Sequence, residues 1–319
     1  MNLRGNLRET GKVKIAFLDL SHTDPEVTAR IANRLTKEPD FDIYIHVDAK
    51  ADIKPFEERL SENPQVYFIQ NRQKVYWGGY NAVKATYTLL DAALNSQRQY
   101  DYFVVMQNLD YPIKSNEYIK SFFTERQGTE FIRGCRIAET KDWLYAKKYR
   151  LYYKKDNPYG KTSIKDPHKF FITAESVLCS LTTIFCNGNI HEKDGSYAIY
   201  YGAAQWAVTR ECAEYMISFM KTHPRFNAKM KIMQFPDEEY FHTVVHNSRF
   251  RTHCSAYDEP EKRWLVNWRN LTYFEFPKEV TVLTEKDFDK VMAQPDLFCR
   301  KVRTGESDRL MDLIDEATE

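Results

Sequence analysis

Phe41-Asp42-Ile43-Tyr44-Ile45-His46-Val47-Asp48 crowds aromatic and β-branched residues into one short run and closes it on an acid. The run is too short for a buried helix and has the composition of a strand covered on both faces. A second such run, Val13-Lys14-Ile15-Ala16-Phe17-Leu18, stands upstream, and residues 25–37 between them carry an apolar stripe at helical spacing. A helix between two buried strands is the connection a parallel pair needs, since a tight turn cannot join parallel neighbours. The alternation continues downstream. It predicts a strand at Val66–Ile69, a helix near 80–97, a strand at Tyr102–Met106, a helix over Ser115–Phe123 and a strand at Glu130–Ile132. The expected class is therefore α/β, with a mostly parallel sheet flanked by helices and a ligand site at the carboxyl ends of the strands. His22, Asp48, Arg72 and Asp110 fall just past such ends.

The 319 residues, 43% of them hydrophobic, suffice for one large or two ordinary domains. The net charge of +1 removes any reason to expect a nucleic-acid partner. The six cysteines show neither CxxC nor zinc-like spacing, so free thiols are expected. Lys14 and Asp19 interrupt the apolar run from Val13 to Leu20, which is far short of a signal peptide or membrane span. The reading is a soluble cytoplasmic protein, with peripheral contact at the inner face of a membrane left open. Residues 134–197 lack clean periodicity and read as an irregular insertion packed on the sheet. Beyond it, the pattern predicts a strand at Trp206–Thr209, helices over 210–220 and 237–246, and short strands at Trp264–Trp268 and Val280–Leu283. Thr284 with Asp287 forms a capping-box pattern ahead of a helix to about Ala293, and the final Glu-Ala-Thr-Glu is expected to fray.

Gln234-Phe235-Pro236-Asp237-Glu238-Glu239-Tyr240-Phe241-His242-Thr243 places three acids after a proline. By itself this is what a helix start favours, because proline lacks the amide hydrogen that would go unpaired and acids meet the positive end of the dipole. Its companions change the reading. Ile45-His46-Val47-Asp48, Trp77-Gly78-Gly79-Tyr80, Gln107-Asn108-Leu109-Asp110-Tyr111-Pro112 and the run Gly202-Ala203-Ala204-Gln205-Trp206 to Glu211 precede it in that order. Together these residues resemble the core-2/I-branching β-1,6-N-acetylglucosaminyltransferases, a family that includes the peptide O-xylosyltransferases. The resemblance spans roughly residues 13–302, with Ala203 departing from the usual serine.

The resemblance implies a single GT-A type, Rossmann-like domain over 1–319. Residues 12–133 would be the nucleotide-sugar-binding half, 134–197 the insertion, 198–303 the acceptor and catalytic half and 304–319 a C-terminal tail. It implies an inverting transferase, using no metal and no other cofactor, that moves GlcNAc or xylose from a UDP-sugar to a glycan or lipid-linked oligosaccharide. Inversion in one step needs a base for the acceptor hydroxyl, and the resemblance assigns it to Glu238. Asp237 and Glu239 are expected to be helix-start and surface groups. Cations near the C-terminus would compensate the leaving diphosphate: Lys301, with Lys278 or, in its place, Arg300 or Arg303. His22, Asp48, Arg72, Tyr80 and Asp110 are expected around the donor, with Asp110 either orienting the Asn108–Pro112 loop or contacting the sugar, and Glu139, Gln205, Trp206 and Trp268 around the acceptor.

The sequence contains two Asp-x-Asp patterns. Asp40-Phe41-Asp42 lies at the start of its strand and Asp287-Phe288-Asp289 in a helix where the carboxylates diverge, so neither is assigned to a metal. A role in bacterial surface polysaccharide assembly follows as an expectation from the lack of an anchor segment. Two rivals stay open. A glycan-binding protein would need neither base nor cation, and a glycoside hydrolase would need two acids across the scissile bond, which adjacent residues do not supply.

Overall fold

The computed structural model describes residues 13–139, 189–193, 195–233, 235–255, 269–275 and 280–319. Its centre is a five-stranded sheet. Strands β1 (Ile15–Ser21), β2 (Phe41–Val47), β3 (Val66–Phe68) and β4 (Tyr102–Gln107) run parallel in the order β4-β1-β2-β3. The short strand β5 (Asp110–Pro112) follows β4, and β6 (Trp206–Thr209) closes the main sheet antiparallel to β4. The crossovers are α1 (Pro25–Leu35), α2 (Lys54–Leu60) and α3 (Asn81–Leu94). Alternation along β1 divides the core. Ala16 and Leu18 pack with α3 residues such as Val83 and Leu90, while Ile15 and Phe17 pack with Val27 and Ile31 of α1.

Local chemistry sets the helix starts. Asp24 accepts from the Val27 N–H ahead of Pro25, Ser115 caps α4 (Asn116–Glu125) and Thr209 caps α5 (Arg210–Thr222). After α6 (Pro224–Met230) the predicted acidic helix is present as α7 (Pro236–His246). The Thr284/Asp287 capping box forms and leads into α8 (Phe288–Met292).

A second sheet, which the sequence reading missed, lies beside the first. β7 (Thr272–Phe274) pairs parallel with β8 (Phe298–Arg300), and β8 pairs antiparallel with β5 in a register that sets Arg300 opposite Asp110. Three expectations need correction. Glu130–Ile132 makes only isolated bridges, from Glu130 to Cys254 and from Phe131 to Ala207. Val280–Leu283 runs beside Lys301 through single backbone bonds without becoming a strand. The chain end does not fray: α9 (Asp308–Thr318) buries Leu310, Met311 and Ile314, and its Asp315 receives Arg30, Arg34 and the Tyr111 hydroxyl. The Trp264–Trp268 strand and most of the insertion lie outside the described residues. Among the described residues no helix is long and apolar enough to cross a membrane.

Candidate active site

The carboxyl ends of β1, β2 and β4 open into a cleft of about 410 Å³. This is where connections from a parallel sheet diverge to opposite faces and leave a crevice. The Asp48 N–H donates to the Ser21 carbonyl at 2.8 Å, tying the ends of β2 and β1 together. From these ends His22, His46 and Asp48 reach the cleft, with Gln107 from β4. His46 Nε2 accepts from the Gln73 N–H at 2.8 Å, which requires an unprotonated Nε2, and burial lowers the ring's pKa to match. Desolvation and then the Arg300 guanidinium hold the His22 pKa below its ordinary value. Lys50 donates to Asp48 at 2.6 Å, reaches the Val75 carbonyl and lies 4.5 Å from the centre of the Tyr76 ring. That one side chain straps the loop carrying Trp77 to the end of β2.

This loop forms one rim. The Gly79 N–H returns to the Tyr76 carbonyl at 2.9 Å, and Gly78, at φ +73°, occupies the region where only glycine is unstrained. Trp77 stands 67% exposed at the cleft, edge-on to Phe235 at 4.7 Å. The facing wall comprises Ala204, Trp206 and the first turn of α7. Gly202 brings that turn in. Its N–H donates to the Glu238 carbonyl at 2.9 Å, and a Cβ there would lie 2.3 Å from the Arg133 carbonyl and 2.6 Å from the His242 ring. Phe235, just before α7, holds a left-handed φ of +56°, a conformation that costs a non-glycine residue about 1–2 kcal/mol.

The floor carries a second cation in addition to Lys50. Arg300 Nη1 donates to Asp110 Oδ1 at 2.7 Å and to the Asn108 carbonyl at 3.0 Å, while Arg300 itself faces the cleft. The other Asp110 oxygen accepts the Gln107 N–H at 2.8 Å, and the nearby Gln205 side chain favours the charged form of this carboxylate. Burial pushes the Asp110 pKa up and Arg300 opposes it. A fully buried carboxylate thus fixes both the turn after β4 and a guanidinium aimed at the site, which suits binding of an anion.

Of the sequence candidates, His22, Asp48, Trp206 and Arg300 line this cleft. Others take different places. Tyr80 is a core residue, edge-on to Tyr240 at 6.1 Å and 4% exposed, because the helix it opens turns it inward. Arg72 donates to the carbonyls of Ala51, at 3.1 Å, and Asp48, supporting the loop from behind. Asp110 and Gln205 are buried braces. Exposed Glu139 pairs with Arg136 at 2.5 Å. Lys301 follows Arg300 in the chain, but it is Arg300 that faces the cleft. Lys278 and Trp268 lie outside the described residues.

The acidic run is also redistributed. Asp237 lines the cleft, Glu238 beside it is half-buried, and Glu239 is fully buried rather than a surface group. Helical geometry explains the split, since neighbours on a helix diverge by about 100°. Lys50, His46 and Trp77 escaped the sequence reading as site residues, although all three lie in or next to motifs it quoted.

Both Asp-x-Asp patterns have structural partners: Asp40 with Lys120 at 2.6 Å, Asp42 with Arg98 at 2.9 Å and Tyr100 at 2.5 Å, and Asp287 in the capping box. Among the described residues no three His, Cys, Asp or Glu side chains gather as metal ligands would.

A family model described as Core-2/I-Branching enzyme matches residues 15–292. The chain is 25% identical over 276 residues to a Xylosyltransferase oxt of Drosophila melanogaster, covering 82% of this chain and 27% of that protein. It is 23% identical over 267 residues to the Xylosyltransferase oxt of Drosophila pseudoobscura pseudoobscura, covering 81% and 26%. It thus spans about a quarter of the length of the curated relatives it matches.

Proposed function

We propose, on the premise that this chain belongs to the Core-2/I-Branching enzyme family, that it transfers xylose or GlcNAc from a UDP-sugar to a glycan hydroxyl, inverting the anomeric centre without a metal. Family membership together with the mostly parallel, helix-flanked sheet makes it a glycosyltransferase of GT-A type. The sugar, the acceptor, the stereochemistry and the independence from metal are the proposed part. The observation that carries the reading is Arg300, held by buried Asp110 and facing a strand-end cleft.

In this reaction the acceptor oxygen attacks the anomeric carbon as the bond to the β-phosphate oxygen breaks. The hydroxyl proton passes to a carboxylate of α7, and the bonding pair leaves with UDP. Arg300 offsets the charge that develops on the diphosphate, as a fixed cation does when it needs no reorganisation during reaction. Lys301 is its chain neighbour and a second candidate cation. Glu238 is the proposed base. Asp237 is the competing candidate because it lines the cleft. Asp48 and His22 would read the nucleoside, and Trp77 offers a flat apolar face at the rim.

The test is UDP release from a panel of UDP-sugars and glycan acceptors in the presence of EDTA. Sugar-dependent release that survives chelation supports the reading, and activity abolished by chelation overturns its metal-free part. Glycan binding with no UDP affinity would instead identify a lectin.

A further inference from the structure

We propose that Asp19 is a positioning residue: its carboxyl, lodged beneath the cleft beside Asp110 and Arg300, sets how much of the Arg300 charge is available to a bound diphosphate. The inference rests on the donor-site reading above and adds a residue to it.

The geometry starts from the alternation of β1. Asp19 shares a face with Ile15 and Phe17, and Phe17 meets Phe298 of β8 at 6.2 Å between ring centres. Two residues further along both strands, the same stacking brings Asp19 into the neighbourhood of Arg300. Asp19 is 5% exposed, and its strand neighbours in register are apolar, Ile45 on β2 and Met106 on β4. Ser21 Oγ donates to Asp19 Oδ2 at 2.5 Å, and Ser21 Oγ in turn lies 3.3 Å from Thr28 Oγ1 of α1. The charged groups acting on Asp19 are Asp110 from β5 and Arg300 from β8.

Two buried carboxyls therefore share one guanidinium. Asp110 holds Arg300 directly, so a proton on Asp19 leaves the cluster neutral, and loss of that proton leaves a net negative charge under an anion site. Burial first, and the Asp110 charge with it, push Asp19 up to about 7, against the pull of Ser21 and Arg300. The switch in charge thus falls near neutrality. Burial lowers the pKa of both His22 and His46, which favours their neutral forms and moves their titration to the acid side of the Asp19 change. A terminal phosphate gains negative charge near pH 6, which would tighten binding to a cation as pH rises. Asp19 predicts the opposite sign.

The experiment is calorimetric titration of the full chain with UDP between pH 6 and 8.5. Wild type is expected to bind UDP about tenfold more weakly at the alkaline end, as a charge added near a buried anion site requires. Asp19→Asn is expected to lose no affinity over this range and to show only the tightening that ionisation of the terminal phosphate brings. Ser21→Ala, which removes the hydrogen bond favouring the ionised form, is expected to move the midpoint of the loss to higher pH. Equal pH profiles in wild type and Asp19→Asn, or an unmoved midpoint in Ser21→Ala, overturn the inference while leaving the donor site standing. Absence of UDP binding at every pH overturns the donor-site reading and this inference with it.

Discussion

Asp110 shows how one side chain can brace a candidate site that it does not line. Its two oxygens hold the Gln107 N–H and the Arg300 guanidinium, and it has no exposure of its own. Removing one member of a buried ion pair strands the other, typically at about 3–5 kcal/mol. Asp110→Ala should therefore lower stability by that amount in urea unfolding. Asp110→Asn, which keeps the shape, should mainly raise KM for the donor. Arg300→Met should weaken UDP binding and also lower stability, since it strands the fully buried Asp110 carboxylate, which must then take up a proton or stay unpaired. On α7 the question is which acid takes the proton. Glu238→Gln should lower kcat about 10²–10⁴-fold with donor KM nearly unchanged, whereas the same loss in Asp237→Asn and not in Glu238→Gln would transfer the role to Asp237.

The elements differ in how openly the sequence declared them. β1 to β4 and α1, α3, α4, α5 and α7 follow from apolar periodicity and helix-start residues, because local sequence alone satisfies those rules, whereas the seven-residue helices α2 and α6 are too short to show a periodic stripe and went unread. β5 could not be read that way. Asp110-Tyr111-Pro112 carries an acid and a proline, and it is a strand only because β8, distant in sequence, pairs with it. The loop-orienting place of Asp110 was legible, but the same non-local pairing hid its ion pair with Arg300 and the preference for Arg300 over Lys301 in the cleft. Strand-end residues His22 and Asp48 were legible, since topology alone places them. Asp19 was visible as a charge interrupting an apolar strand, but its partners lie on β5 and β8. The C-terminal helix was legible but unread: Leu310, Met311 and Ile314 stand at helical spacing on one face, and Asp315 ties it to Arg30, Arg34 and Tyr111. Two element-scale outcomes follow. Asp315→Ala should cost about 2 kcal/mol in urea unfolding, as expected for lost charge-assisted hydrogen bonds. Gly202→Ala should cost about 3 kcal/mol or prevent folding, because its Cβ would collide with the backbone carbonyl of Arg133 and with the ring of His242.

Across the whole molecule, buried titratable groups pull stability in opposite directions with pH. Burial holds His242 at about 3 and His246 at about 4, and the His246 Nε2 lies 2.9 Å from the Ile132 carbonyl, to which a neutral ring donates. In the unfolded chain both rings take up protons below about pH 6.5. As pH falls from there towards 4, the unfolded state binds protons that the folded state cannot, so stability drops. Asp19 has the opposite sense. Its unfolded carboxyl ionises near 3.8 while the folded one holds its proton to about 7, so stability drops as pH rises between those values. Each group contributes at most about 1.4 kcal/mol per pH unit within its window, worth about 2 °C in Tm for a chain of this size. Melting curves from pH 4 to 8 separate them. Asp19→Asn should gain on wild type progressively from pH 4 to 7 and hold that gain above it, while His246→Gln should flatten the acid limb between pH 6.5 and 4. Parallel curves for wild type and Asp19→Asn would mean that Asp19 is ionised across this range, and the buried cluster would then carry a negative charge from pH 4 to 8.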